Sequence, residues 1–252
     1  MKIIILCAGS GKRLNIDKPK CLLKINGKTI LYRTLSLLKK NKIKENQIYL
    51  ALGYKNNIIV KNIKKTINYR INKDYKKTNM VFSLFNCLEE NNIEDIVILY
   101  GDIYYSNEII KKIINSKNKI STVIDKKWKN IWELKDNFIE DLETLKLRNN
   151  KIVNIGGKTN NLKNIDARYV GATRFSKNVT KFFYKYYSEK IKSVLKNEYL
   201  KIDMTKLLMI MIKQGFDVKY IAIKDFWFEF DNRKDLKLFN DNAGKLQNKE
   251  SK

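Results

Sequence analysis

The chain alternates short β-branched apolar runs with longer segments whose apolar residues recur every three or four positions. Ile3-Ile4-Ile5-Leu6-Cys7 predicts a buried parallel strand over about 2–7, since a strand covered on both faces reads as an unbroken apolar run. Leu31, Leu35 and Leu38 share one stripe and predict a helix near 29–40. The same reading gives strands at 47–52, 66–72, 95–100, 120–124, 166–175, 218–223 and 226–230. It gives helices at 58–66, after a Thr78-Asn79 cap, and at 109–114, 179–187, 204–214 and 233–239. Gly215 ends the helix before it as a C-cap. Such alternation implies a three-layer α/β/α fold with a mostly parallel central sheet. From about 125 to 165 the character changes to short alternating segments with two tryptophans, and a small antiparallel insertion or lid is expected there. We expect a single domain over 1–240 and a polar, frayed tail over 241–252.

Composition narrows the chemistry. Histidine is absent, which excludes Ser-His-Asp and Cys-His nucleophile systems and His-ligated zinc. Chemistry must then run on carboxylates, Lys, Arg and bound metal, which suits phosphoryl or nucleotidyl transfer. The net charge of +26 is mostly Lys and spread along the whole chain. A nucleic-acid surface would cluster its basic residues and interleave exposed aromatics, so no specific nucleic-acid partner is expected. No apolar run approaches the ~18 residues of a membrane span, and Met1-Lys2 leads straight into the first strand, so no signal peptide is expected. Cys7, Cys21 and Cys87 share no metal spacing and read as reduced packing residues of a cytoplasmic protein.

The first strand breaks into Ala8-Gly9-Ser10-Gly11-Lys12-Arg13, with Pro19-Lys20 beyond it. A glycine loop at a strand's carboxyl end lets backbone N–H groups approach phosphates, and Arg13 and Lys20 would add fixed charge. This is not a dinucleotide fingerprint, because Leu14 stands where the third glycine belongs. Nor is it a Walker loop, because Arg13 follows Gly11-Lys12 where a hydroxyl is required. The residues point to an enzyme that handles a nucleoside triphosphate. Asp102 and Asp231 each follow an apolar strand, at the sheet end where open α/β folds bind ligands. Each either ligates Mg²⁺ or caps the following helix.

G-x-G-x-R with a distal Pro-Lys resembles the signature of the nucleotidyltransferase family, with its GT-A-like, Rossmann-like fold. That resemblance implies transfer of NMP from an NTP to a phosphorylated small molecule, and it makes Asp102 and Asp231 metal ligands with Glu229 as an auxiliary. Thr78-Asn79-Met80-Val81-Phe82-Ser83-Leu84, Gly53-Tyr54 and Phe226 to Asp231 look like the phosphocholine and aminophosphonate cytidylyltransferase branch, which has a phosphoglutamine-activating relative in capsule decoration. The branch implies CTP, Mg²⁺ (with Mn²⁺ as a substitute), pyrophosphate release and a CDP-linked product for a surface polysaccharide. It implies catalysis by Lys20, Arg13, Asp102 and Asp231. It implies nucleotide binding by Ala8, Gly9, Ser10, Gly11, Lys12, Arg13, Lys20, Gly53, Asn79 and Ser83. On the acceptor side, Tyr104, Tyr105, Trp128, Trp132 and Trp227 either wall a pocket for an amino-type head group or pack in the core and lid. Asp125 is a candidate partner for an acceptor's amino group, and Glu229 is counted among the acceptor-binding candidates. A sugar 1-phosphate acceptor is the alternative. The residues fix no oligomeric state, and a homodimer stays an open expectation.

Overall fold

The computed structural model describes residues 1–11, 17–135, 139 and 142–247, with Ile131 and 242–247 described by backbone alone. β1 (Lys2–Cys7) is followed by a 3-10 turn at Lys20–Leu22, the hairpin β2 (Lys24–Ile25) and β3 (Lys28–Thr29), and α1 (Ile30–Lys40). Next come β4 (Ile48–Leu52), α2 (Asn56–Asn62), β5 (Asn68–Ile71), α3 (Met80–Phe85), β6 (Ile96–Tyr100) and β7 (Ile103–Tyr104). α4 (Asn107–Asn115), β8 (Ile120–Asp125), α5 (Lys129–Trp132), β9 (Glu143–Arg148), β10 (Lys151–Lys158) and β11 (Arg168–Phe175) follow. The chain then forms α6 (Lys177–Lys190), α7 (Lys196–Tyr199), α8 (Met204–Lys213), β12 (Val218–Ile223), β13 (Phe228–Glu229) and α9 (Arg233–Gln247).

One large sheet runs in the order β5-β4-β1-β6-β11-β8-β12-β10-β9. β1 pairs in parallel with β4 and β6, β4 with β5, and β8 with β12. β11 runs antiparallel between β6 and β8. Strand alternation divides the apolar residues between two cores. Ile3, Ile5 and Cys7 face the layer holding Leu31, Leu38, Ile59 and Ile109, while Ile4 faces Val81, Leu84, Phe183 and Leu208. The expected three layers follow directly from that division. Helix starts carry side-chain caps: Asn79, where the sequence suggests one, accepts from Met80 N, and Thr29 accepts from Tyr32 N and Asp203 from Lys206 N.

Two regions differ from the sequence reading. The segment expected to form a small antiparallel insertion or lid contributes the antiparallel hairpin β9–β10, and what differs is that it extends the main sheet by pairing with β12. Leu145, Ile152 and Ile155 along it are buried in the same core as α8, so burial draws the hairpin onto the sheet. The tail expected to fray from 241 instead continues α9 to Gln247. Phe239 anchors that helix against Phe228 and Phe230.

Candidate active site

The carboxyl ends of β1 and β6 meet below a cleft of about 1010 Å³. Ala8, Gly9 and Ser10 form one wall, and Asn79 and Ser83 of the α3 start form another. Two close approaches explain the glycines. A Cβ on Gly101 would lie 2.6 Å from Cys7 Sγ and 2.7 Å from the Leu6 carbonyl, so only glycine lets β6 turn here and present Asp102. Gly11 has φ +60°, and a Cβ on it would lie 2.5 Å from Lys20 Cγ. The loop therefore lies directly on the Lys20 stem. Gly53 packs below the loop, where its own Cβ would meet the Ala8 carbonyl at 2.7 Å. Tyr54 N donates to that carbonyl at 3.1 Å.

Lys20 Nζ donates to Asp102 Oδ2 at 3.1 Å and to Asp231 Oδ1 at 3.0 Å. Residues 82 and 211 positions away in sequence thus converge on one ammonium. Burial works against the Lys20 charge, but the fields of Asp102, Asp231 and Glu229 outweigh it and raise its pKa. Oxygens of Asp102, Glu229 and Asp231 lie within 4.8 Å of one another. Burial, with the repulsion of Asp231 and Asp102, pushes the Glu229 carboxyl up to about 8. Three hard oxygen donors in mutual repulsion suit a divalent cation, and these residues fit one. Lys12 and Arg13 lie outside the described residues.

Alternation on the short strand β13 produces this arrangement. Phe228 and Phe230 enter an apolar cluster with Leu23, Ile25, Ile30 and Phe239, which leaves Glu229 and Asp231 on the opposite face. β13 pairs with β7 through Phe228↔Tyr104 and Glu229↔Ile103, and Phe230 N donates to the Asp102 carbonyl at 3.2 Å. The segment is held a second time from the far side. Asp235 Oδ2 accepts from Asp231 N at 2.6 Å and Asn232 N at 3.0 Å, while Asn232 Oδ1 accepts from Asp235 N at 3.1 Å. Asn232 and Asp235 thus form a reciprocal helix cap. Lys135 Nζ pairs with Asp235 Oδ1 at 3.5 Å and donates to the Glu229 carbonyl at 2.8 Å. Sequence reasoning missed Lys135 and Asp235. The Asn-x-x-Asp spacing was a readable signal for Asp235; nothing local marked Lys135.

The aromatic residues considered for the acceptor side lie elsewhere. Trp128, Trp132 and Trp227 are fully buried core residues. Trp227 Nε1 donates to Asp125 Oδ2 at 3.0 Å, and Lys127 N donates to Asp125 Oδ1 at 2.7 Å, so that carboxylate is engaged by the fold. Tyr104 packs with Phe226 and Phe239. Tyr105 Oη accepts from Tyr100 N and donates to the Gly171 carbonyl at 2.8 Å, tying β6 to β11. None of these residues lines the cleft. Glu229 does, beside the two aspartates.

Residues 3–148 match the MobA-like NTP transferase domain family. The chain belongs to that family. The transferase is 32% identical over 253 residues to CTP:phosphoglutamine cytidylyltransferase of Campylobacter jejuni, covering 94% of this chain and 98% of the relative. Its fold is shared with CTP:phosphocholine cytidylyltransferase from Streptococcus pneumoniae (TM-score 0.70, 18% identity, 96% of this chain and 98% of that one). It is also shared with the inositol-1-phosphate CTP transferase from T. maritima (TM-score 0.68, 22% identity, 95% and 94%). Among the described residues no helix is long and apolar enough to cross a membrane.

Proposed function

We propose that this nucleotidyltransferase moves CMP from CTP to a small phosphorylated acceptor of amino type, releasing pyrophosphate and a CDP-linked product. Phosphoglutamine heads the acceptors, ahead of phosphocholine and 2-aminoethylphosphonate. The observation that carries the reading is the convergence of Lys20, Asp102 and Asp231 beneath the Gly9–Gly11 loop. The relative's activity, extending over nearly the full length of both chains, supplies the nucleotide and the acceptor class. The loop backbone and Lys20 bind the triphosphate, and Asn79 and Ser83 face the nucleoside side of the cleft. Asp102 and Asp231, with Glu229 beside them, would hold Mg²⁺, or Mn²⁺ in its place, which would supply positive charge against the negative charge that develops in the transition state.

The acceptor's phosphate oxygen attacks the α-phosphorus, and the bond to the β-phosphate oxygen breaks, its electron pair leaving with pyrophosphate. The nucleophile is already an anion, so no residue has to remove a proton. That agrees with a chain lacking histidine. The product's CMP leaving group suits a later transferase that decorates a surface polymer, and a cytoplasmic setting supplies the CTP.

Pyrophosphate release with Mg²⁺, each common NTP and a panel of acceptors tests the reading. Turnover with CTP and an amino-type acceptor supports it. Turnover with another NTP and a sugar 1-phosphate would replace it while keeping the fold and the carboxylates.

A further inference from the structure

The three carboxylates of the centre stand on unequally supported parts of the fold. Asp102 follows β6, a central strand of the nine-stranded sheet. Glu229 closes β13 and Asp231 follows it, and β13 pairs with β7 in a separate two-stranded sheet. A strand of two residues is far shorter than the usual ~5–6. Further contacts must therefore set where its carboxylates stand.

One buried ion pair supplies them. Lys135 Nζ donates to the Glu229 carbonyl at 2.8 Å, and Asp235 Oδ2 accepts from Asp231 N at 2.6 Å. The two clamped backbone groups flank Phe230, and both belong to carboxylate residues of the centre. Lys135 Nζ lies 3.5 Å from Asp235 Oδ1, and only 6% and 3% of the two side chains are exposed. The ammonium also lies over the Trp132 ring, 4.3 Å from its centroid, and 5.0 Å from that of Phe228, which confines it to one place. Well-packed apolar residues would stabilise such a spot as well as a buried pair does, or better. What they could not do is bond the Glu229 carbonyl and the Asp231 amide together.

Lys20 and Lys135 therefore act on the centre differently. Lys20 bonds the carboxylate oxygens themselves, where it competes with a cation. Lys135 bonds the backbone behind them. Resting on the functional reading above, we infer that Lys135 and Asp235 are positioning residues for the divalent cation. The pair fixes the backbone of Glu229 and Asp231 so that their carboxylates face Asp102 at the spacing such an ion requires.

Charge and position predict opposite signs here. If only the field mattered, removing an ammonium near three carboxylates would tighten divalent binding, and Lys20→Met should do so. Lys135→Met should weaken it, because the Glu229 carbonyl loses its donor. The test titrates Mn²⁺ into the nucleotide-free protein and follows the electron paramagnetic resonance of the free ion. Wild type is compared with Lys20→Met, Lys135→Met, Asp235→Asn and the double variant Lys135→Met/Asp235→Asn. The double variant leaves no stranded charge and the net charge unchanged, and an asparagine oxygen can still accept from Asp231 N. It should therefore stay folded, as its melting temperature will show.

Each variant of the pair should bind Mn²⁺ about 10–100-fold more weakly than wild type. The double variant should lose no more than the worse single one, because the pair acts as a unit. CTP turnover in all three should recover as Mn²⁺ is raised. A lower melting temperature with unchanged Mn²⁺ affinity would make the pair structural only and overturn the inference, as would tighter binding by Lys135→Met. A wild type that takes up no Mn²⁺ would overturn the metal assignment and this inference with it. A wild type that binds Mn²⁺ but turns over no CTP with any acceptor would overturn the functional reading, while weaker binding in the variants would still support the positioning role.

Discussion

Replacing Lys20 with methionine isolates the charge balance of the centre. The ammonium sits 3.0–3.1 Å from two carboxylates, and each contact has a gross attraction of about 5 kcal/mol at an effective dielectric of about 20. Desolvation of the lysine cancels much of that. The net cost of breaking a buried pair from one side is about 3–5 kcal/mol, and the 17% exposure of the Lys20 side chain argues for the lower end. About 3 kcal/mol corresponds to a fall in melting temperature of about 6–12 °C for a chain of this size. Methionine keeps the stem against Gly11, so packing changes little. Mg²⁺ then restores part of what was lost. At ten times its Kd it contributes about 1.4 kcal/mol, and the shift in the variant exceeds that in wild type because no ammonium competes. Turnover falls by about 10²–10³ through loss of a preorganised charge. Calorimetry in EDTA and in Mg²⁺, beside a pyrophosphate assay, measures all three effects. A Lys20→Met protein with wild-type melting in EDTA and no larger Mg²⁺ shift would refute the reasoning.

Three further outcomes are expected. Asp235→Ala strands the buried Lys135 charge and removes the acceptor for Asp231 N and Asn232 N; denaturant unfolding should show a loss of about 3–5 kcal/mol. Trp227→Phe deletes the Nε1–Asp125 bond and should cost about 1.5–3 kcal/mol in the same assay, with the acceptor KM unchanged because neither residue lines the cleft. Asp166 is pushed up by partial burial but held below its ordinary pKa by Lys146 and Leu147 N. A carboxyl depressed in the folded state adds stability above its unfolded pKa and loses it as pH falls through the folded value. Asp166→Asn should therefore be less stable than wild type near neutrality and converge with it in acid, as urea unfolding at a series of pH values would show.

Much of the fold was legible because its strands are buried on both faces. Ile3 to Cys7 and Ile96 to Tyr100 are unbroken apolar runs that no helical stripe would produce. The glycine loop and Asp102 stood out for the same reason, since each follows such a run. The alternation that aims Glu229 and Asp231 away from Phe228 and Phe230 is also local. The pairing of β13 with β7 is not local, and only that pairing brings Asp231 to Asp102. The tryptophans show the limit most clearly. An aromatic side chain near an expected pocket reads the same whether it walls the pocket or fills the core, and here Trp128, Trp132 and Trp227 fill the core. The strand irregularities stayed hidden because positive φ at Gly156 and Gly171 and the register shifts around them depend on partners far away in sequence.

The metal assignment at Asp102 and Asp231 is tested most directly by measuring the Mg²⁺ dependence of CTP turnover in wild type and in Asp102→Asn. Wild type should show saturable Mg²⁺ activation. The variant should stay folded and melt above Lys20→Met, because Asp231 still pairs with the ammonium and one carboxylate repulsion is relieved, and it should lose at least about 10²–10³ in turnover at every Mg²⁺ concentration. An Asp102→Asn enzyme with wild-type turnover and the same Mg²⁺ response would contradict the account.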